Sequence, residues 1–435
     1  MNQIGIRAED KNRWERRAPL APDHIAELRR EHGISFIVEP TDKRIFPIES
    51  YQEAGASVGS PEGARVILGV KEIPLEKLCA NTTYLYFSHT HKGQSGGQAV
   101  LKRHLELGST LLDYEAIKDR RHRRKVFFGR HAGYAGMLDT LRALGQRLSL
   151  EDFPSPLAEL RPTHEYQGME EAFEHLTRLG IDIRKKGLPA GLRPVVVAFL
   201  GSGHVARGAQ EVFDRLPHEE VTPEDLIHLG EDRDEPRNLL YKVVIDRKHR
   251  VQRISDGGFD SEELRDHPDL YISAMDRYLP RVTALVNGTY WEPGLPRLVT
   301  RMHLRNLWAK ESQPRLRVIG DITCDLGGSI EVNRKATEPG SPTYVYDVST
   351  DSTVPGVAGK GPVIMAVDNL PCELSRDASE HFGDSLLTYL PAIARCDWSK
   401  SLEELALPDD LKRAIIVHRG AIAPAFGHLA VEALD

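Results

Sequence analysis

One stretch constrains the fold more than any other. Val195-Val196-Val197-Ala198-Phe199-Leu200 runs straight into Gly201-Ser202-Gly203-His204-Val205-Ala206-Arg207-Gly208-Ala209. An apolar run without polar alternation fits a strand buried on both faces, as in parallel sheets with helices on either side. The glycines that follow are what a tight strand-to-helix turn needs. Gly201 permits the turn, and Gly203 lets the backbone come close to a pyrophosphate. Ala206 takes the third small position, and Gly208 is expected to help the helix pack against the strand. The start of such a helix presents N–H groups that the helix itself does not pair, a cradle for phosphate. The pattern predicts a Rossmann-type dinucleotide site with Gly201, Ser202, Gly203, His204 and Val205 at the cofactor. A strand–turn–helix with no ligand is the alternative it leaves open.

The rest of the chain repeats the alternation. Strands are predicted at 3–7, 35–39, 66–70, 83–87 and 109–112, with one helix starting at Pro22 and another over 51–55 closed by Gly55. Further helices are predicted over 132–148 and 169–179, and buried strands over 284–287 and 317–321. Between 219 and 263 charge rises and the apolar pattern weakens, which reads as an insertion of loops and a small hairpin with its best strand at 241–245. From 375 onward the pattern is mostly helical. Strands alternating with helices at this spacing give an α/β fold with mainly parallel sheets.

Composition removes several function classes. A formal net charge of -7 over 435 residues offers no basic surplus for a nucleic-acid groove. The cluster Arg120-Arg121-His122-Arg123-Arg124-Lys125 reads, by itself, as a solvated face. No apolar run approaches the roughly 18 residues needed to cross a membrane, and the N-terminus reads as a first strand rather than a signal peptide. Cys79, Cys324, Cys372 and Cys396 are widely spaced, which points to free thiols and a cytoplasmic location. They and the pair His89 and His91 lack metal-ligand spacing, so no metal is expected.

The residues alone do not choose the nucleotide. An acid for the ribose hydroxyls is expected about 20 residues beyond the glycine turn. That zone holds Glu219-Glu220-Val221-Thr222-Pro223-Glu224, with Glu220 and Glu224 as candidates on a weak strand. Arg207 is a candidate for a 2′-phosphate, or simply a solvated helix residue.

Other motifs stand in order around the turn. They are Glu15-Arg16-Arg17-Ala18-Pro19-Leu20-Ala21-Pro22, Gly69-Val70-Lys71-Glu72-Ile73-Pro74, Phe87-Ser88-His89-Thr90-His91-Lys92-Gly93-Gln94, Val286-Asn287-Gly288-Thr289-Tyr290-Trp291 and Met365-Ala366-Val367-Asp368-Asn369-Leu370-Pro371. With them the chain resembles the lysine–2-oxoglutarate reductase family over most of its length. That family includes the N-terminal half of the bifunctional aminoadipic semialdehyde synthases. The lysine-forming saccharopine dehydrogenases are more distant relatives, and alanine dehydrogenase and transhydrogenase more distant still.

The resemblance implies two Rossmann-like domains with parallel sheets flanking a cleft, the first domain discontinuous. Residues 1–135 plus 375–435 are expected to form the substrate domain, and 136–374 the dinucleotide domain. It implies NADPH, or NADH as the alternative, and condensation of lysine with 2-oxoglutarate to saccharopine or the reverse. It assigns Lys71 and His89 as the acid–base pair, and Arg17, Lys71, Gln94, Arg124 and Phe128 as substrate contacts. Arg123, Asn287, Gly288, Val367, Asp368, Asn369 and Leu370 join the glycine turn at the cofactor. His91, Gly93 and His204 depart from the commonest family residues, which bears on substrate choice. The region 219–263 follows the bifunctional members and favours NADPH and the saccharopine-forming direction. A separate saccharopine-oxidising enzyme is expected as a partner in metabolism. A related amino-acid or opine-type dehydrogenase with another amine, and a catalytically silent nucleotide-binding regulator, remain alternatives.

Overall fold

Two sheets, each built from apolar parallel strands, account for the alternation seen in the sequence. The structure, a computed structural model, describes residues 1–92, 96–192, 194–230 and 236–429. Strands β1 (Ile4–Ile6), β2 (Phe36–Val38), β3 (Ser57–Val58), β4 (Val66–Leu68), β5 (Thr83–Tyr86) and β6 (Thr110–Asp113) come first. Then follow β7 (Val196–Leu200), β8 (His218–Val221), β9 (Leu240–Ile245), β10 (Val251–Arg253), β11 (Tyr271–Ser273), β12 (Ala284–Asn287), β13 (Val318–Asp321), β14 (Thr343–Asp347), β15 (Ser352–Pro355) and β16 (Val363–Met365). The chain closes with β17 (Ile415–His418) and β18 (Ala421–Ile422).

The chain divides into two compact units, Met1–Phe128 with Ser375–Asp435, and Gly129–Leu374. The first carries the eight-stranded sheet β18-β17-β6-β5-β4-β1-β2-β3, parallel from β6 to β3. β17 runs antiparallel to β6. The C-terminal part is mostly helical, as expected, and also supplies β17 and β18, with Ile415, Ile416 and Val417 of β17 fully buried. The helix Ser375–Leu387 returns to this unit and adds Ala378, Phe382 and Leu386 to its core.

The second unit carries the eight-stranded sheet β15-β14-β16-β13-β12-β7-β9-β8, parallel from β16 to β8, with the hairpin β14–β15 antiparallel at the edge. All residues of β7 are buried, as its unbroken apolar run requires. Apolar clusters cover both faces of the sheet, one including Val197 and Phe199, the other Val196, Ala198 and Leu200.

Four expectations change here. The unit boundary lies at Phe128/Gly129, ahead of residue 135, because the helix over 132–148 extends as Gly129–Leu150 and belongs to the second unit from its first turn. The region 219–263 is not a loop insertion alone. It contains β8 and β9 of the main sheet, and only the antiparallel pair β10–β11 stands apart as a hairpin. The helix expected over 51–55 sits slightly earlier, at Ile48–Glu53, and that over 169–179 continues as Met169–Lys186.

Candidate active site

In the first unit the charged residues gather where parallel strands end. Glu9 follows β1, Lys71 and Glu72 follow β4, and His89 and His91 follow β5. Asp113 ends β6, with Glu115 just beyond. Apolar strands terminate there and leave backbone N–H groups facing polar side chains, which is where open parallel sheets form their sites. Glu9 is buried and accepts hydrogen bonds from the Val70 N–H (2.7 Å) and the Lys71 N–H (2.9 Å). Burial and the neighbouring Glu15 raise its carboxyl to about 7. Burial, then the charges of Arg17 and Lys11, push the Lys71 amine below its ordinary value, while Glu15 and Glu72 oppose the shift.

His89 adopts a left-handed backbone, φ 55°, which a non-glycine residue takes only when its surroundings hold it there. Asp113 does so by accepting from the His89 N–H (3.1 Å), the Ser88 N–H (2.9 Å) and the Ser88 hydroxyl (2.6 Å). The His89 Nδ1 lies 2.6 Å from Glu72 Oε1. Burial alone would raise the Glu72 carboxyl. The hydrogen bond with His89 and the charge of Lys11 outweigh burial and hold it near 2. An ionised Glu72 accepts, so Nδ1 donates and Nε2 is left to exchange a proton.

The other first-unit residues flank this group. Arg17 is buried, places its Nε 2.7 Å from Glu15 Oε1, and stacks its guanidinium 4.3 Å from the Phe128 ring centroid. Phe128 in turn stacks on Phe382 at 4.5 Å. Arg124 pairs with Glu115 at 3.0 Å, while Arg123 is exposed and pairs with Asp119 at 2.8 Å. Gln94 lies outside the described residues. The sequence reading gave no role to Glu9, Glu72, Asp113 or Glu115. Their signal was position, an acid directly after a buried strand.

His91 lies 3.7 Å from both Asp113 and Glu115, and these three side chains could converge on a cation. Their oxygens already serve other partners: Asp113 holds Ser88 and His89, and Glu115 holds Arg124. The arrangement reads as an imidazole held between two carboxylates at ion-pair distance.

In the second unit Gly201 takes φ 107°, and a Cβ there would lie 3.0 Å from the Gly288 oxygen. Gly203 borders open space, and Ser202, Gly203 and His204 are exposed at the start of the helix His204–Phe213, with Val205 half-buried behind them. That is the form a phosphate cradle takes, and the residues fit a dinucleotide there. Gly208 serves differently from expectation. A Cβ there would collide with the Arg130 oxygen on Gly129–Leu150, so it permits helix-on-helix rather than helix-on-strand contact. Gly288 lets the end of β12 approach the Ala206 backbone within 2.9 Å of where a Cβ would stand. The Asn287 amide is buried and bonded to Asp321, Thr323 and Ser329, so it braces the strand ends and leaves the rim to neighbouring backbone. Val367, Asn369 and Leu370 are buried beyond β16, with Asp368 exposed among them.

The ribose-acid zone is displaced. The strand beside β7 is β9, while β8 with Glu219 and Glu220 lies at the sheet edge. Glu224 pairs with His249 at 3.0 Å. The residue leaving the sheet next to the glycine turn is Asp246, followed by Arg247, because Leu200 pairs with Ile245.

Comparison with known proteins matches residues 5–135 to the alanine dehydrogenase/PNT N-terminal domain and 282–425 to the alanine dehydrogenase/PNT C-terminal domain. The chain is 34% identical over 440 residues to the mitochondrial alpha-aminoadipic semialdehyde synthase of Rattus norvegicus, covering 98% of this chain and 47% of that protein. Against the alpha-aminoadipic semialdehyde synthase of Arabidopsis thaliana it is 35% identical over 444 residues, covering 98% and 41%. The saccharopine dehydrogenase [NAD(+), L-lysine-forming] of Neurospora crassa is 27% identical over 414 residues, covering 92% of each. The chain thus spans about half the length of the semialdehyde synthases it matches, or somewhat less. Among solved structures an L-alanine dehydrogenase shares the fold with a TM-score of 0.63 at 18% identity, covering 99% of both chains. A transhydrogenase from Sinorhizobium meliloti has a TM-score of 0.57 at 16% identity, covering 97% of this chain and 99% of that one.

Proposed function

This chain belongs to the alanine dehydrogenase/PNT family, and we propose that it joins L-lysine to 2-oxoglutarate and reduces the imine to saccharopine, with NADPH as cofactor. The observation that carries the reading is the group Lys71, Glu72 and His89 on loops after adjacent strands β4 and β5. Condensation needs one proton removed from the ε-ammonium of the substrate and another delivered to the carbinol oxygen, so that water leaves. An amine depressed by burial and an imidazole held by one nitrogen suit these transfers. Lys71 is the group that takes the proton from the substrate ammonium, and His89, through Nε2, gives one to the leaving oxygen. Glu72 keeps the His89 ring turned, and Glu9 fixes the backbone on which Lys71 is mounted. Arg124 and Arg17 supply positive charge toward substrate carboxylates, each already leaning on an internal carboxylate that sets its orientation. Gln94 and Phe128 complete the substrate contacts. The Gly201–Gly203 turn at the start of the helix His204–Phe213, with Val367, Asp368, Asn369 and Leu370, holds the dinucleotide. When bound, it supplies the hydride to the imine carbon.

Four free cysteines fit a reducing compartment, and we place the protein in the cytoplasm. The test follows absorbance of NADPH or NADH with lysine plus 2-oxoglutarate, and with other amines and oxo acids as controls. Lysine-dependent NADPH oxidation with saccharopine as product is expected. Oxidation with a different amine only would make the chain an opine-type dehydrogenase. Cofactor binding without turnover on any amine would make it a regulator.

A further inference from the structure

The strand order places a cluster of arginines where a nucleotide ribose is read. β9 lies beside β7, and Leu200 pairs with Ile245, so Gly201 and Asp246 leave the sheet on neighbouring strands, about 4.8 Å apart by the spacing of paired strands. After Asp246 come Arg247, Lys248, His249 and Arg250, a single helical turn. A cavity of about 180 Å³ opens at this edge, lined by Arg247, Arg250, Arg265, Thr289, Trp291 and Ser329. It reaches from the end of β9 to the segment following β12, which straddles the strand of the glycine turn.

The charges there are unbalanced, with Arg247, Arg250 and Arg265 lining the cavity against Glu292. The Arg250 Nε is buried and, among the described residues, meets no hydrogen-bond partner. Arg247 is exposed and, among the described residues, has no ion-pair partner. Burial and the charge of Arg247 push the Arg250 guanidinium down to about 10, and Asp246 offsets this only in part. Desolvating one guanidinium beside another is costly unless an anion joins them. A ribose with free hydroxyls calls for an acid at this position, which Asp246 offers, whereas a 2′-phosphate calls for arginine, which Arg247 and Arg250 offer.

We infer that Arg247 and Arg250, at the end of β9, bind the 2′-phosphate of a nicotinamide dinucleotide and make this chain select NADPH over NADH. The inference rests on the proposed dinucleotide chemistry and names the residues that choose the cofactor. A phosphate monoester carries nearly two negative charges at neutral pH and offers oxygens to both guanidinium groups. Asp246 sits beside them as the residue that disfavours the anion, so its removal strengthens the preference.

The test is a fluorescence titration of NADPH and NADH, without substrates, on the full chain. The wild type is expected to bind NADPH more than tenfold tighter, and adenosine 2′,5′-bisphosphate should displace it where ADP does not. Arg247→Ala removes an exposed side chain and should cut the NADPH-to-NADH preference about tenfold with NADH affinity unchanged. Arg250→Lys should lower it in part, and Asp246→Ala should raise it. A ratio unchanged in both arginine variants overturns the inference while leaving the proposed function standing. A wild-type preference for NADH that Asp246→Ala abolishes overturns the inference and the choice of NADPH with it, and leaves the condensation of lysine with 2-oxoglutarate standing. Failure of both dinucleotides to bind the wild type removes the proposed function itself, and this inference with it.

Discussion

At the residue scale, Glu72 does two things to its neighbours. It fixes the His89 ring through Nδ1, and its charge lifts the Lys71 amine against burial. Glu72→Gln keeps an acceptor for Nδ1 but removes the charge, and Glu72→Leu removes both. Turnover is expected to fall in the order wild type, Gln, Leu, with the Leu variant down about a hundredfold, as for loss of an oriented proton-transfer group. NADPH affinity should not move in either. Because the Glu72 charge raises the Lys71 amine, its loss lets that amine titrate at lower pH, so the limb of the kcat/KM profile owed to Lys71 shifts acidward in Glu72→Gln. A profile unchanged in position would separate Lys71 from the chemistry. The family resemblance, and the place of each after an apolar strand, marked Lys71 and His89 as candidates in the sequence. Glu9 and Asp113 escaped it, since what they bind is backbone N–H of residues far along the chain, Lys71 from Glu9 and His89 from Asp113. Their place after a buried strand was a signal, but such contacts leave no local pattern of their own.

At the scale of elements, the glycine turn and the strand over 241–245 were both legible, but not that the two lie side by side. The apolar run of β7 and the glycines specify strand, turn and helix locally. Which strand lies next to β7 depends on pairing, and here the chain first lays β8 at the edge, then returns with β9. A spacing rule that expects the ribose-reading strand about 20 residues on lands on β8 and misses Asp246 and Arg247. The same limit applies to the antiparallel pairs β14–β15 and β17–β18, whose outer strands β15 and β18 are short and largely exposed. Helix packing yields a test of the turn itself. A Cβ at Gly133 would collide with the Val205 oxygen, and one at Gly208 with the Arg130 oxygen, so the two helices touch through reciprocal glycines. Gly133→Ala must push the helix His204–Phe213 aside, costing about 1–3 kcal/mol and disturbing the cradle at its start. Gly203→Ala meets open space and an extended backbone, so its stability cost should stay within about 1 kcal/mol, the cost of a poorer helix cap. Both variants should weaken NADPH binding, and only Gly133→Ala should also lower the melting temperature clearly. If Gly203→Ala bound NADPH like the wild type, the cradle would lie elsewhere.

At the scale of the whole molecule, each unit has its own core and its own buried acid. In the first, Glu9 is raised to about 7. In the second, Glu373 on the segment Leu370–Leu374 is fully buried and raised to about 8, chiefly by burial, with Asp139 beside it also raised. Asp139 accepts from the Thr163 hydroxyl at 2.6 Å, and His164 lies 3.8 Å from Glu373. Burial outweighs the charge of Arg142 on both carboxyls, and two carboxyls side by side in such a place do not both ionise, so the folded unit retains a proton there that the unfolded chain releases near pH 4.5. The folded state then binds more protons than the unfolded state between about 4.5 and 8, and stability falls as pH rises through that window. The contribution is fully present below 4.5 and gone above 8, on the order of a few kcal/mol across the window. Glu373→Gln replaces the retained proton with an amide that donates to Asp139 at any pH. Calorimetry at pH 5, 7 and 8.5 should show the wild-type melting temperature of the second unit declining toward alkaline pH, and the variant declining less and melting higher at 8.5. The first unit should show a weaker decline that ends near 7 and is untouched by Glu373→Gln, because its own acid lies in a separate core. A variant that declined as steeply as the wild type would place the retained proton on another group.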